Sequence, residues 1–119
     1  ALNYKYSQVN DADMILLVRK VDELQQKVVD MYYDYMTARQ LYDMTTEMVQ
    51  QRYINYQKSQ SKSKEVILIT DTFYREAMDE QIKARGSFFE KRSRLEQLVG
   101  NDVFRQFEEV VDKRYAKDK

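Results

Sequence analysis

The sequence has no proline, no histidine and no cysteine, and its 119 residues include only two glycines, Gly86 and Gly100. Proline and glycine normally punctuate short strands and tight turns, so their scarcity argues against a β-rich fold. Without cysteine the chain has no disulfide, no thiolate nucleophile and no zinc ribbon. Without histidine it lacks the commonest general base and metal ligand. These absences favour long uninterrupted helices and weigh against most classes of enzyme.

Net charge is also missing, because 20 basic side chains balance 20 acidic ones. No overall field draws the chain to nucleic acid or to an anionic membrane, and we expect neither as a partner. The longest apolar run, Met14 to Val18, is far shorter than the ~20 residues of a membrane-spanning helix. Residues 1–10 lack the charged start and apolar core of a signal peptide. We expect a cytosolic protein, or a mature or excised piece of a longer one.

What the chain does contain is 43% hydrophobic and 34% charged residues, with a mean hydropathy of −0.78. This balance is too apolar for a solvated disordered chain and suits amphipathic helices with much exposed surface. The length fits one domain under the usual prior of roughly 100–200 residues per domain. A single helical domain over residues 1–119 is therefore predicted.

A seven-residue repeat of apolar side chains starts after Asn10 or Asp11, either of which can cap a helix N-terminus. Two apolar positions in each heptad are typical of a coiled-coil helix, here over about residues 11–56. The first positions are Met14, Val21, Val28, Tyr35, Tyr42, Val49 and Tyr56, and the second are Leu17, Leu24, Met31, Ala38 and Thr45. A further stripe indicates more than one helical neighbour; it contains Ile15, Val18, Val29, Tyr32, Met36, Leu41, Met44 and Met48.

A segment without apolar side chains interrupts the repeat at residues 57–64. Its serines compete for backbone hydrogen bonds in non-helical conformations, so the segment is the predicted turn. Its lysines form a small basic surface that suits an acidic partner, although a solubilising loop is the simpler account. The candidate partner-contact tip therefore consists of Gln57, Lys58, Ser59, Gln60, Ser61, Lys62, Ser63 and Lys64.

A second heptad repeat predicts another long helix over about residues 65–99. Gly100 ends it, because glycine adopts a left-handed C′ conformation at little energetic cost. Asn101 or Asp102 can then cap a short amphipathic helix over about residues 102–116. The first positions of this repeat are Ile67, Tyr74, Gln81, Phe88 and Leu95, and the second are Thr70, Ala77, Ala84, Lys91 and Leu98.

Together the repeats predict an all-α fold, a long antiparallel coiled-coil helical hairpin with a short third helix. A two-helix rod has little interior, so its wide apolar stripes predict packing against further helices, and we expect self-association. The candidate helix-packing seam comprises Met14, Val21, Val28, Tyr35, Tyr42, Val49, Ile67, Tyr74, Ala77, Ala84, Phe88 and Leu95.

No residue is predicted to be catalytic or to bind a metal or cofactor. Acidic pairs such as Asp30 with Asp34 are more typical of a solvated helix face than of a cation site with converging ligands. The four-helix di-iron pattern requires Glu-x-x-His motifs and is excluded. Clustered tyrosines such as Tyr32, Tyr33 and Tyr35 can stack on bases, but at heptad spacing they favour a core or interface role.

Several stretches of the two helices match a known pattern in order along the hairpin. Residues 28–39 contain V-x-x-x-Y-x-x-x-x-A-R, and Arg52-Tyr53 precedes the turn. Beyond it, the matching residues are Val66-Ile67-Leu68, Ala77, Ala84-Arg85, Phe88 and the ending Arg94-Leu95-Glu96-Gln97-Leu98-Val99-Gly100. On these residues the chain resembles the TolC-like outer-membrane factor family, the exit ducts of bacterial efflux pumps and type I secretion systems.

The resemblance implies a non-enzymatic helical-tunnel segment, equivalent to that family's second helical hairpin and the equatorial helix after it. It also implies a periplasmic location as part of an outer-membrane protein, assembly as a trimer, and a periplasmic adaptor protein at the tip. The acidic residues that the family often places just after the tip fall on Val66 and Ile69 here. No acidic gate is therefore carried over.

Two other interpretations stay open at this point. A free-standing coiled-coil interaction or scaffold module, located in the cytoplasm, would bind a partner helix in the same grooves. An ion-binding helical-bundle enzyme is the other, and it would need an all-carboxylate site because histidine and cysteine are absent.

Overall fold

Helices account for nearly all of residues 11–118, the part of the chain that the computed structural model describes. α1 spans Asp11–Ser59, α2 spans Lys64–Val99 and α3 spans Asn101–Asp118. Within these described residues there is no strand, so the predicted all-α hairpin with a short third helix is confirmed. Asn10, one of the two proposed N-caps of the first helix, lies outside the described residues. The principal extents of the molecule, 90 × 26 × 19 Å, are those of a rod.

The turn between α1 and α2 is shorter than the polar segment predicted. Gln57 to Ser59 remain helical and α2 starts at Lys64, which leaves residues 60–63 as the turn. The predicted helix end at about residue 56 lies three residues too early, because Ser59 is held at the helix end by bonds with Tyr56 and, across the turn, with Thr70. At a helix end serine and lysine are tolerated, since the last carbonyls are free to accept bonds from side chains.

Serine hydroxyls close both helix ends at the turn. The Ser59 hydroxyl donates to the Tyr56 carbonyl at 2.6 Å, and it accepts from the Thr70 hydroxyl at 2.7 Å. Ser63 is the N-cap of α2, where its Oγ accepts from the Val66 N–H at 3.3 Å. The serines thus cap and join the two helices, the role that short polar side chains have at helix termini.

Large and small side chains alternate along the seam between α1 and α2. The first heptad positions carry aromatic rings such as Tyr35 and Phe88, and rings of both helices meet across the seam, as in the 5.6 Å contact of these two. Five of the second positions carry small, buried side chains: Ala38, Thr45, Ser59, Ala77 and Ala84. Small residues allow close approach of the helices while the rings fill the space beside them.

α3 turns back at Gly100 and runs parallel to α1. Gly100 has a φ of 89°, a conformation that L side chains rarely adopt, and its N–H donates to the Glu96 carbonyl at 2.8 Å. Phe104 then packs into a core with Tyr35 and Leu95, and all three are at most 3% exposed. The end of the hairpin opposite the turn is therefore a three-helix bundle.

The seam alternation generates a stability test at two neighbouring positions of α2. Ala84→Leu should lower the free energy of unfolding by about 1–3 kcal/mol, because the added carbons have no space at a buried small position. Gly86→Ala should raise it by about 0.5–1 kcal/mol, since alanine favours the helix and its Cβ would meet nothing within 4 Å. Urea unfolding followed by circular dichroism measures both, and a neutral Ala84→Leu would contradict close approach at this layer.

Candidate helix-packing surfaces

The candidate seam residues divide into a covered and an uncovered group. Within the hairpin they lie between the helices: Tyr35, Ala77, Ala84 and Leu95 are buried, and Tyr42, Val49, Ile67, Tyr74 and Phe88 are half-buried. The uncovered group lies at the start of α1, where Met14, Val21 and Val28 are 62%, 45% and 37% exposed. The heptad repeat is therefore longer than the surface that this chain itself can cover.

The overhang, defined as residues 12–27 of α1, extends past the end of α2. Val28 and Val99 line the same small apolar cleft, so α2 ends beside Val28. Every side chain of the overhang is exposed. Its apolar members are 45–62% exposed: Met14, Ile15, Leu16, Leu17, Val18, Val21 and Leu24. A helix that carries apolar residues this widely around its axis is one that neighbours normally surround.

A second unpartnered surface, the outer stripe, lies on the hairpin itself. Its side chains occupy heptad positions that point away from the seam. They are 47–67% exposed and comprise Tyr33, Met44 and Ile54 on α1, with Leu68, Ile69, Ile82 and Phe89 on α2. Single exposed apolar residues are ordinary, and here they recur along the outside of both helices of the rod.

A network of charged side chains holds α3 onto the hairpin around the Tyr35 hydroxyl. That hydroxyl donates to Glu108 at 2.9 Å and accepts from Arg39 at 3.1 Å. Arg92 contacts both carboxylate oxygens of Glu108, at 2.6 and 3.1 Å, and Arg39 contacts Asp112 at 2.7 Å. The bidentate Arg92–Glu108 pair fixes geometry as well as adding energy, so it holds α3 against α2, and the Arg39–Asp112 bond joins α3 to α1.

Burial and hydrogen bonding shift the pKa values of two members of this network. Desolvation, followed by the hydrogen bond to Glu108, raises the pKa of Tyr35 to about 12, against the lowering effect of Arg39. The hydrogen bonds with Glu108 raise the pKa of Arg92 above its ordinary value. Both shifts keep the side chains in the protonation states that the network needs, a neutral phenol and a charged guanidinium. The arrangement joins the three helices through side chains in these protonation states.

The sequence did not predict this network, although part of its signal was present. Glu108 follows Phe104 by four residues and precedes Val111 by three, so it shares the apolar face of α3. An acidic residue inside an apolar helical stripe indicates a buried partner. The partner's identity, Arg92 on α2, depends on how α3 folds back at Gly100 and has no signal in sequence spacing.

The candidate tip remains at the end of the rod. Gln57, Lys58 and residues 60–64 are exposed, whereas Ser59 is 3% exposed and faces α2. Among the candidate tip residues, Ser59 is the one whose side chain is buried, and its hydroxyl is bonded within the turn. Lys58, Lys62 and Lys64 leave a basic surface there, with Glu65 as the nearest acidic residue in sequence.

The Tyr35 network generates a prediction about alkaline stability. Because folding raises this pKa above its ordinary value of 10.0, the stabilisation is present below pH 10 and is lost as the pH rises through about 12. At pH 8, Tyr35→Phe should lower the free energy of unfolding by about 1–3 kcal/mol through the lost hydrogen bonds. The difference from wild type should shrink between pH 10 and 12 in urea titrations.

The control for that experiment is Tyr33→Phe, whose side chain is 62% exposed and makes no contact with Glu108 or the arginines of the network. Its free energy of unfolding should equal that of the wild type at pH 8 and at pH 12. A Tyr35→Phe difference that stays constant from pH 8 to pH 12 would contradict the raised pKa.

Two other kinds of feature were sought in the described residues, a metal site and a membrane-spanning helix. Among residues 11–118 no cluster of acidic side chains is arranged to hold a metal ion. Over the same range no helix is both long and apolar enough to cross a bilayer. No model of a known protein family matches the chain, and no characterised protein or solved structure is significantly similar to it. The outer stripe and the overhang are therefore the features that bear on function.

Proposed function

We propose that this chain is a non-enzymatic wall segment of a helical tunnel, in a TolC-like outer-membrane channel used in efflux or type I secretion. The observation that supports this proposal is the outer stripe, which gives each long helix a second apolar surface besides the seam. A helix in a closed wall has neighbours on two sides, its hairpin partner and the adjacent hairpin. In a free-standing two-helix rod, each helix needs an apolar surface only at the seam with its partner.

The shape of the hairpin also suits a tunnel wall. α1 and α2 have no break within their bounds, and at about 1.5 Å per residue α2 alone extends roughly 54 Å. Polar and charged side chains separate the apolar positions on the outside of the rod, as in the exposed ion pair of Arg75 with Asp71. A wall of such hairpins would bury the outer stripe between neighbouring hairpins, and its charged side chains would face the water on either side of the wall.

The remaining parts of the proposal concern partners and location. Copies of the complete protein would assemble as a trimer in the periplasm, and the tip would meet a periplasmic adaptor protein. The exposed lysines of the tip, Lys58, Lys62 and Lys64, favour an acidic contact surface on that adaptor. Because rim charges act mainly on association rate, this contact should weaken as ionic strength rises.

The proposal predicts that a charge on the outer stripe blocks transport without unfolding the hairpin. Ile54→Asp replaces an apolar contact between neighbouring hairpins by a carboxylate, which would lose its water there with only Lys58, one turn along the same helix, as a counter-charge. In cells that carry the variant as their only copy, dye retention should rise to the level of the gene deletion. The thermal midpoint of the purified variant should stay within a few degrees of wild type, because Ile54 is 47% exposed in the single chain.

Asn55→Asp is the matched control, since Asn55 is an exposed polar residue next to Ile54. It should leave dye efflux at the wild-type level. Recovery of the protein in the soluble cytoplasmic fraction, together with normal efflux in the deletion strain, would reject the channel and favour the cytoplasmic scaffold module.

A further inference from the structure

Gly86 lies in the interior of α2, where no contact within the single chain requires a glycine. The residue is exposed, and a Cβ added to it would meet nothing within 4 Å. Glycine weakens a helix interior and is typical of places where another backbone approaches closely. Ile82 and Phe89, which are 67% and 48% exposed, flank it by one turn on the same side of α2. α2 therefore has a notch with apolar walls on the side away from the seam.

Two rows of side chains run along α2 on either side of Gly86, each at seven-residue spacing. The first row is basic, apolar, apolar and acidic: Arg75, Ile82, Phe89 and Glu96. The second row is acidic, basic, acidic and polar: Glu76, Lys83, Glu90 and Gln97. Against its own reversed copy, the first row sets acidic against basic and apolar against apolar, and the second sets its lysine against a glutamate. Both rows are therefore self-complementary in the antiparallel direction.

The two rows share one centre of reversal, which is Gly86. Lys83 precedes Gly86 by three residues and Glu90 follows it by four, while Arg75 precedes it by 11 and Glu96 follows it by ten. Each pair is thus equidistant from the glycine to within one residue, or about 1.5 Å of helix rise. A single axis through Gly86 would bring the pairs of both rows together.

We propose that two copies of this chain pair antiparallel through this side of α2, about a two-fold axis at Gly86. Because neither helix has a Cβ at the axis, the two backbones can approach closely. Ile82 of each copy then contacts the second copy's Phe89, and Lys83 of each copy lies against the second copy's Glu90. A parallel copy would instead set lysine against lysine and glutamate against glutamate, which repel each other.

The charged side chains of the two rows have capacity for these contacts. Lys83 is exposed and, among the described residues, forms no ion pair with its own chain. Glu90 accepts from Arg94 at 2.7 Å through Oε1, which leaves its other carboxylate oxygen for a lysine. Arg75 contacts Asp71 at 3.1 Å through Nε, which leaves its two terminal nitrogens. These pairs lie at the rim of the interface, where charges set orientation more than affinity.

The rest of the chain leaves this side of α2 open. α3 packs on α2 at Arg92 and Leu95, which lie about 120° and 180° around the helix from Gly86. Arg85 of each copy would lie near the axis beside its own symmetry mate. Its guanidinium is exposed and lies 5.7 Å from the centroid of its own Phe89 ring, so water screens this like-charge contact.

The pair does not rest on the proposed function, and the two have separate tests. Pairing covers Ile82 and Phe89 on α2 and leaves Ile54 on α1 exposed. One side of α2 cannot contact a neighbouring hairpin of a wall and a second antiparallel copy at once, so the pair is an alternative packing of this surface outside the wall. Ile54→Asp should therefore change transport without changing the pairing.

Sedimentation equilibrium of the full chain through the micromolar range tests the association. The wild type should shift from the mass of one chain to that of two. Lys83→Glu and Glu90→Lys should each weaken self-association by about tenfold or more, because each places two like-charged contacts across the axis. Glu109→Lys makes the same change of charge at an exposed position on α3, and it should pair as the wild type does.

Exchange of the charges tests the antiparallel register. The double variant Lys83→Glu/Glu90→Lys should pair with itself as tightly as the wild type, since each carboxylate again faces a lysine. An equimolar mixture of the two single variants should also pair, although neither pairs alone. A wild type that stays single, single variants that associate as the wild type does, or a double variant that stays single would overturn the proposal.

Gly86→Gln tests the close approach at the axis. Glutamine favours the helix and has open space in the single chain, so the thermal midpoint should not fall. Pairing should be lost, because two glutamine side chains at the axis would separate the helices. A Gly86→Gln chain that pairs as tightly as the wild type would reject an axis at this residue.

Discussion

The burial of one tyrosine side chain at the junction of all three helices is the constraint on which this structure depends. Tyr35 is 0% exposed, with its ring against Phe88, Phe104 and Phe107 and its hydroxyl between Arg39 and Glu108. The ring supplies the apolar area that a thin rod otherwise lacks, and the hydroxyl requires polar partners from two helices. Three-helix packing and the charged network are thus consequences of one buried phenol.

Away from that junction the hairpin relies on close approach. Small residues at buried second heptad positions leave little apolar area to bury. The half of the rod nearer the tip is therefore held by close helix–helix contacts, by ring pairs such as Tyr56 with Tyr74, and by the Ser59–Thr70 hydrogen bond. Two thin packed helices thus form a rod whose longest extent is 90 Å. It also leaves the outer faces of both helices free to carry the apolar side chains of the outer stripe.

The apolar surfaces of the molecule therefore serve two kinds of packing. The apolar side chains of the seam and of the core around Tyr35 are covered within one chain. Those of the outer stripe and of the overhang are exposed in the single chain and would be covered only by a neighbour. In water, each uncovered apolar side chain forgoes the transfer free energy of its area, of order 25 cal/mol per Å². This uncovered apolar surface is the feature on which the proposed role in a channel wall rests.

Heptad spacing alone determined the all-α hairpin, its seam and the helix ending at Gly100, because the side-chain period of a helix is local and needs no tertiary information. The end of α1 at Ser59 was missed, since its cap depends on Thr70 across the turn. Only the tertiary structure decided that Tyr35 is the centre of the core, that Glu108 meets Arg92, and that Met14 and Val21 belong to a seam without a partner. Those features depend on where α2 stops and where α3 folds back, which are long-range contacts that no periodicity encodes.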